Sequence, residues 1–189
     1  MKALITEFEG RRAGELVEYW FQRDPRAFVV LCDDNDVASA MVCTLDIGGG
    51  RCSSRDRRVD PGVDAVLRHA ELLLGSSLRH ARIGMVRFMA CRGVYQEPSP
   101  EMGGLAAISI EPFFRMPDLK LYYSYYADAK VWEPVFRFAG ATLAAEARFT
   151  LGGHTYDVAF HDRRDRPPAN WLLEIAERGT AHHLAELER

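Results

Sequence analysis

Histidines, cysteines and a run of arginines carry the most reactive chemistry in this sequence, and their spacing limits what each can do. His154, His161, His182 and His183 match no H-E-x-x-H or comparable ligand pattern, so no metal site is expected. An imidazole ordinarily titrates near neutrality, so His161 can serve as a base at a sheet end, although an exposed strand-end histidine is the commoner case. It does not form a dyad with Asp162, because neighbours on a strand point to opposite faces. Cys32, Cys43, Cys52 and Cys91 include no C-x-x-C pair. Three of them lie in or beside apolar segments, where a reduced thiol packs as a small hydrophobe. The four arginines from Arg51 to Arg58 can meet phosphate, but a solvated loop is the commoner role of such a run. Gly48-Gly49-Gly50 lacks the lysine that a phosphate cradle needs, and no G-x-S-x-G, Walker or G-x-G-x-x-G motif occurs.

The elements that would position these groups form one domain over residues 1–189. A chain of 189 residues with 48% hydrophobic and 27% charged residues has the mix of an ordinary globular core. A net charge of -3 supplies no basic field for nucleic acid, and no apolar run approaches the roughly 20 residues of a membrane span. Nucleic acid and membrane are therefore not expected partners. The N-terminal stretch lacks the apolar region of a secretory signal, which implies a cytoplasmic address.

Leu16, Tyr19, Trp20 and Arg23 have helical spacing and predict a short helix over 15–23, ended by Asp24-Pro25. The segments 28–32 and 37–45 read as a hairpin around Asp33-Asp34-Asn35-Asp36, followed by a mobile loop over 48–59. Asp60-Pro61 caps a helix that continues to Gly75. Residues 82–91 read as an interior strand with Ile83, Met85, Met89 and Cys91 on one face and Val86, Phe88 and Ala90 on the other, Arg87 being the exception. Ser99-Pro100 opens a helix that Pro112 should end. A tyrosine-rich strand over 119–127 and a short helix closed by Gly140 follow. The strands 142–150 and 155–161 form a hairpin whose Gly152-Gly153 turn sets Phe149 opposite Tyr156 and Arg148 opposite Asp157. A helix over 168–178 ends the order, with fraying beyond Gly179. Alternation in the middle and hairpins at both ends predict an α+β (mixed α/β) fold, with a central mixed, mostly antiparallel sheet and helices on both faces.

From Phe28 to His161 this order resembles the GNAT superfamily of acyl-CoA-dependent N-acyltransferases, with 82–91 as the splayed central strand, 92–99 as the loop into the cofactor helix and 119–127 as the partner strand. The resemblance rests on element order, and the helix between Asp60 and Gly75 is an addition to the family's usual connection. It implies acetyl-CoA or another acyl-CoA as cofactor, no metal, an amine of a small molecule or protein as acceptor, and leaves homodimerisation open. The cofactor would lie along Met89, Cys91, Arg92, Tyr95, Gln96, Ser99, Gly103 and Gly104. The family's [QR]-x-x-G-x-[GA] loop is absent, and Pro98 and Pro100 remove two backbone donors from that stretch. Ser99, Gly103, Gly104 and Arg92 can rebuild a phosphate site, or Ser99 is only a cap and the two glycines only a close-packing face. Many members place a general-acid tyrosine where this chain has Phe136, so proton transfer would pass to the preceding strand, where Tyr122, Tyr123, Tyr125 and Tyr126 are the candidates and Tyr125 and Tyr126 the preferred ones, with Glu133 or Glu97 as base. The alternative is a catalytically inactive domain of the same shape that binds a ligand or a protein partner.

Overall fold

The computed structural model describes residues 1–116 and 118–187. Its centre is a mixed sheet of β1 (Phe28–Cys32), β2 (Ala38–Asp46), β3 (Arg82–Cys91), β4 (Leu119–Tyr126), β7 (His154–Asp162) and β5 (Thr142–Leu143), in that spatial order. The short β6 (Phe149–Leu151) also pairs with β7. All pairs are antiparallel except β3 with β4. Helices α1 (Lys2–Glu9), α2 (Arg11–Arg23), α3 (Ser54–Val59) and α4 (Pro61–Leu74) precede β3. Helix α5 (Pro100–Arg115) links β3 to β4, α6 (Glu133–Ala139) follows β4, and α7 (Pro168–Leu187) ends the chain. The fold is α+β. Among the described residues, no helix is long and apolar enough to cross a membrane.

Two apolar cores lie on opposite faces of the sheet. One joins Leu4, Leu16, Val17 and Trp20 of α1 and α2 and Val63 and Val66 of α4 to Ile83, Met85, Phe88 and Tyr123. The other joins Met102, Leu105 and Phe113 of α5, Phe136 of α6 and Trp171 of α7 to Val42, Val86, Met89 and Tyr122. Each such side chain contributes about 1.5–3 kcal/mol by leaving water, so β3 and β4, covered on both faces, anchor the fold.

Several local expectations change for physical reasons. Alternation along β3 is reset at Arg87. Cys43 pairs with Phe88 and Thr44 with Val86, so Arg87 is an extra residue, a bulge. Phe88 and Ala90 therefore share the α1–α2–α4 face with Ile83 and Met85, while Met89 and Cys91 join Val86 on the other. The segment 48–59 is a turn followed by α3, held by a reciprocal cap: the Ser53 amide donates to Asp56 at 2.6 Å and the Asp56 amide to the Ser53 hydroxyl at 3.3 Å. Two helices, α1 and α2, meet at Gly10 (φ 82°) where the sequence suggests one short helix. Helix α5 runs through Pro112 to Arg115, because Phe113 is anchored by the rings of Tyr122, His161 and Trp171. Between Thr142 and Thr150 a turn at 145–147 separates β5 from β6. Helix α7 passes Gly179 and continues to Leu187.

Candidate functional site

The parallel pair β3–β4 is joined only over its first half. Arg82, Ile83, Gly84, Met85 and Val86 pair with Leu119, Leu121, Tyr122, Tyr123 and Ser124. Beyond that point β3 stays with β2 and β4 with β7, so the two central strands part where the Arg87 bulge bends β3 away. The gap opens toward the loop that links β3 to α5.

The loop itself fills that gap. After Cys91 the chain turns back, with Cys91 and Tyr95 exchanging backbone hydrogen bonds of 2.8 Å and Tyr95 at φ 51°. This turn drives Gln96 inward until it is 5% exposed. The Ala127 amide donates to Gln96 Oε1 at 2.9 Å, Gln96 Nε2 donates to the Tyr125 carbonyl at 3.4 Å, and Trp132 Nε1 donates to the Gln96 carbonyl at 2.9 Å. Gln96 thus bonds backbone groups of β4 and the residue after it, groups that a continuous β3 would otherwise satisfy. What remains at the mouth is a hollow of about 170 Å³ lined by Val94, Gln96, Ala127, Asp128, Val131 and Trp132.

A buried polar cluster seals the other face. Arg87 and Asp60 are both fully buried, with Arg87 Nε 2.7 Å from Asp60 Oδ2. Asp60 also caps α4 by accepting from the Gly62 amide, and it accepts from Trp20 Nε1 at 2.7 Å. Beside this pair, the Tyr125 hydroxyl donates to the buried Glu9 carboxylate at 2.8 Å. Burial raises the affinity of Glu9 for a proton, an effect that the Arg87 charge and the tyrosine hydroxyls only partly offset. Phe8 stacks on Tyr95 with ring centres 5.0 Å apart. The β6–β7 turn lies so close that a Cβ on Gly152 would be 2.8 Å from the Glu9 carbonyl oxygen.

The residues expected to act in catalysis are committed elsewhere. Tyr125 is held by Glu9, and burial with that carboxylate pushes its hydroxyl well above the ordinary phenol range, away from ready proton donation. Tyr126 lies between the rings of Trp132 and Phe136, and burial raises it too. Glu133 is exposed in the first turn of α6 and pairs with Arg137 at 3.0 Å. Glu97 is an exposed loop residue. Among the cofactor candidates, Met89 and Cys91 are core residues facing α5. Arg92 turns back to the Ala38 carbonyl at 2.5 Å. Ser99 caps α5 by accepting from the Met102 amide at 3.1 Å. Gly103 and Gly104 have no atom within 4 Å of an added Cβ, so close packing does not explain them.

His161 is half-buried, not an exposed strand end, and burial together with Arg163 and Arg166 lowers its pKa to about 4. Among the described residues, no three histidine, cysteine, aspartate or glutamate side chains converge as metal ligands. Sequence reasoning missed Glu9, Asp60 as the partner of Arg87, and the plugging role of Gln96. Only a charge inside the doubly apolar strand at Arg87 signalled the cluster. No protein-family model and no curated protein matches the chain.

Proposed function

We propose that this chain is a GNAT-like domain whose acyl-CoA slot is filled by its own side chains, and that it works by binding a ligand or a protein partner instead of transferring an acyl group. The observation that carries this reading is Gln96, bonded to the Ala127 amide and the Tyr125 carbonyl inside the gap between β3 and β4. A pantetheine arm would need that space and those backbone groups. The burial of Tyr125 and Tyr126 supports it further, because it raises both hydroxyls and makes neither a ready proton donor.

Acyl transfer is the second reading, favoured by the parting of β3 from β4 at a bulge and by the open face at Gly103 and Gly104 beside the α5 N-terminus. It requires the 92–99 loop to swing out. Calorimetric titration of the native protein and of Gln96→Ala with acetyl-CoA and longer acyl-CoAs separates the two. The binding reading expects no heat with the native protein and a gain of affinity in the variant. Micromolar binding or turnover by the native protein supports transfer and overturns it.

A further inference from the structure

The loop from β7 to α7, 163–167, carries three arginines whose surroundings differ. Arg164 makes a forked pair with Asp162, at 2.6 and 3.0 Å, and donates to the Leu73 carbonyl, so its charge is matched. Arg166 lies 3.7 Å from Glu174, a carboxylate that already pairs with Arg178 at 3.0 Å. Arg163 is 6% exposed, and its guanidinium takes part in no hydrogen bond or ion pair among the described residues. Its Nη1 is buried with no hydrogen-bond partner among the described residues, its guanidinium carbon lies 4.8 Å from the Phe113 ring centre, and Glu174 is the acid whose charge acts on it.

A buried cation without a hydrogen-bonding acceptor is costly, and a cation–π contact returns only part of the lost hydration. Arg163 lines a cavity of about 400 Å³ together with Phe113, Met116, Leu119, Lys120, Asp165 and Arg166. With Arg164 matched by Asp162 and Glu174 by Arg178, Lys120, Arg163 and Arg166 against Asp165 leave two positive charges. That excess matches a dianion better than a monoanionic carboxylate. The 20-residue α7 begins at Pro168, directly after the lining residue Pro167, and adds the positive end of its dipole. The volume suits a small molecule.

We propose that this cavity binds a phosphorylated small molecule, with its phosphoryl group on Arg163 and Arg166 and its apolar part against Phe113 and Leu119. The site lies away from the gap between β3 and β4 and does not depend on whether that gap admits acyl-CoA.

Thermal unfolding with inorganic phosphate or pyrophosphate, against sodium chloride of equal ionic strength and against acetate, tests it. At a hundredfold excess over Kd the native Tm should rise by roughly 5–10 °C, from about 2.7 kcal/mol of linkage spread over a chain of this size. Arg163→Met should abolish that rise. The exposed Arg166→Gln keeps the test valid if the first variant does not fold, and should weaken phosphate binding about tenfold or more. An absent rise, an equal rise in the variants, or an equal rise with acetate overturns the proposal.

Discussion

Replacing Gln96 probes the closure of the gap directly. In Gln96→Ala the Ala127 amide and the Tyr125 carbonyl lose their side-chain partner. An orphaned buried polar group costs about 1–3 kcal/mol, and water entering the hollow recovers part of it, so the net loss should be about 2–4 kcal/mol. For a chain of this length that lowers Tm by roughly 5–15 °C. Gln96→Met serves as the control, since it fills similar volume with no donor or acceptor. If hydrogen bonding to β4 is what holds the loop, Met should cost nearly as much as Ala. Urea unfolding followed by circular dichroism, with unchanged m-values, gives the comparison. A Met variant within 0.5 kcal/mol of native, beside a destabilised Ala variant, would mean that Gln96 only fills space and that the polar argument is wrong.

Arg87→Met strands Asp60 and should cost about 3–5 kcal/mol, whereas the double variant Arg87→Met/Asp60→Asn should recover much of it; denaturant midpoints that show no recovery would refute a pairing role. His161 has a folded pKa of about 4 against an ordinary 6.5, so the unfolded chain takes up its proton first. Its stabilising effect is complete above pH 6.5 and is lost as pH falls toward 4, by up to about 3 kcal/mol. His161→Phe should flatten that part of the stability profile, and NMR titration should show neutral imidazole at pH 6. Gly103→Ala, on the open face of α5, should stabilise by about 0.5–1 kcal/mol. Gly84→Ala, whose Cβ would meet the Tyr122 ring at 2.5 Å, should destabilise by about 1–3 kcal/mol; equal melting temperatures for the two would refute the packing argument.

The strands were legible because their apolar runs are bounded by turn residues, and the last hairpin was legible down to its register. Phe149 does pair with Tyr156, and Arg148 lies 2.6 Å from Asp157, because Gly152 and Gly153 both take positive φ. The faces of β3 were not legible. Both are apolar, so alternation carries no mark of the residue inserted at Arg87, and only the register against β2 reveals it. Helix α1 escaped because eight residues with no side-chain cap leave little periodic signal. The cap of α3 was readable as Ser53 three residues before Asp56, but the glycines and arginines around it dominate the local composition.

The closure was hidden for a different reason, since each of its bonds spans a long stretch of chain: Gln96 to Ala127, Glu9 to Tyr125, Asp60 to Arg87. Two strands that part inside a core leave backbone groups that must be bonded by a ligand, by water or by the chain itself. Here Gln96 does this on one side, and the Glu9, Arg87 and Asp60 cluster fills the other. A ligand entering the gap must first displace Gln96, at the cost of about 2–4 kcal/mol estimated for its loss. By population-shift arithmetic that lowers apparent affinity by roughly 30- to 1,000-fold. An intrinsic micromolar affinity for acyl-CoA would then fall toward the millimolar range, whereas the cavity at Arg163 carries no such cost because its cation is already in place. The native chain should therefore respond to phosphate before it responds to acetyl-CoA.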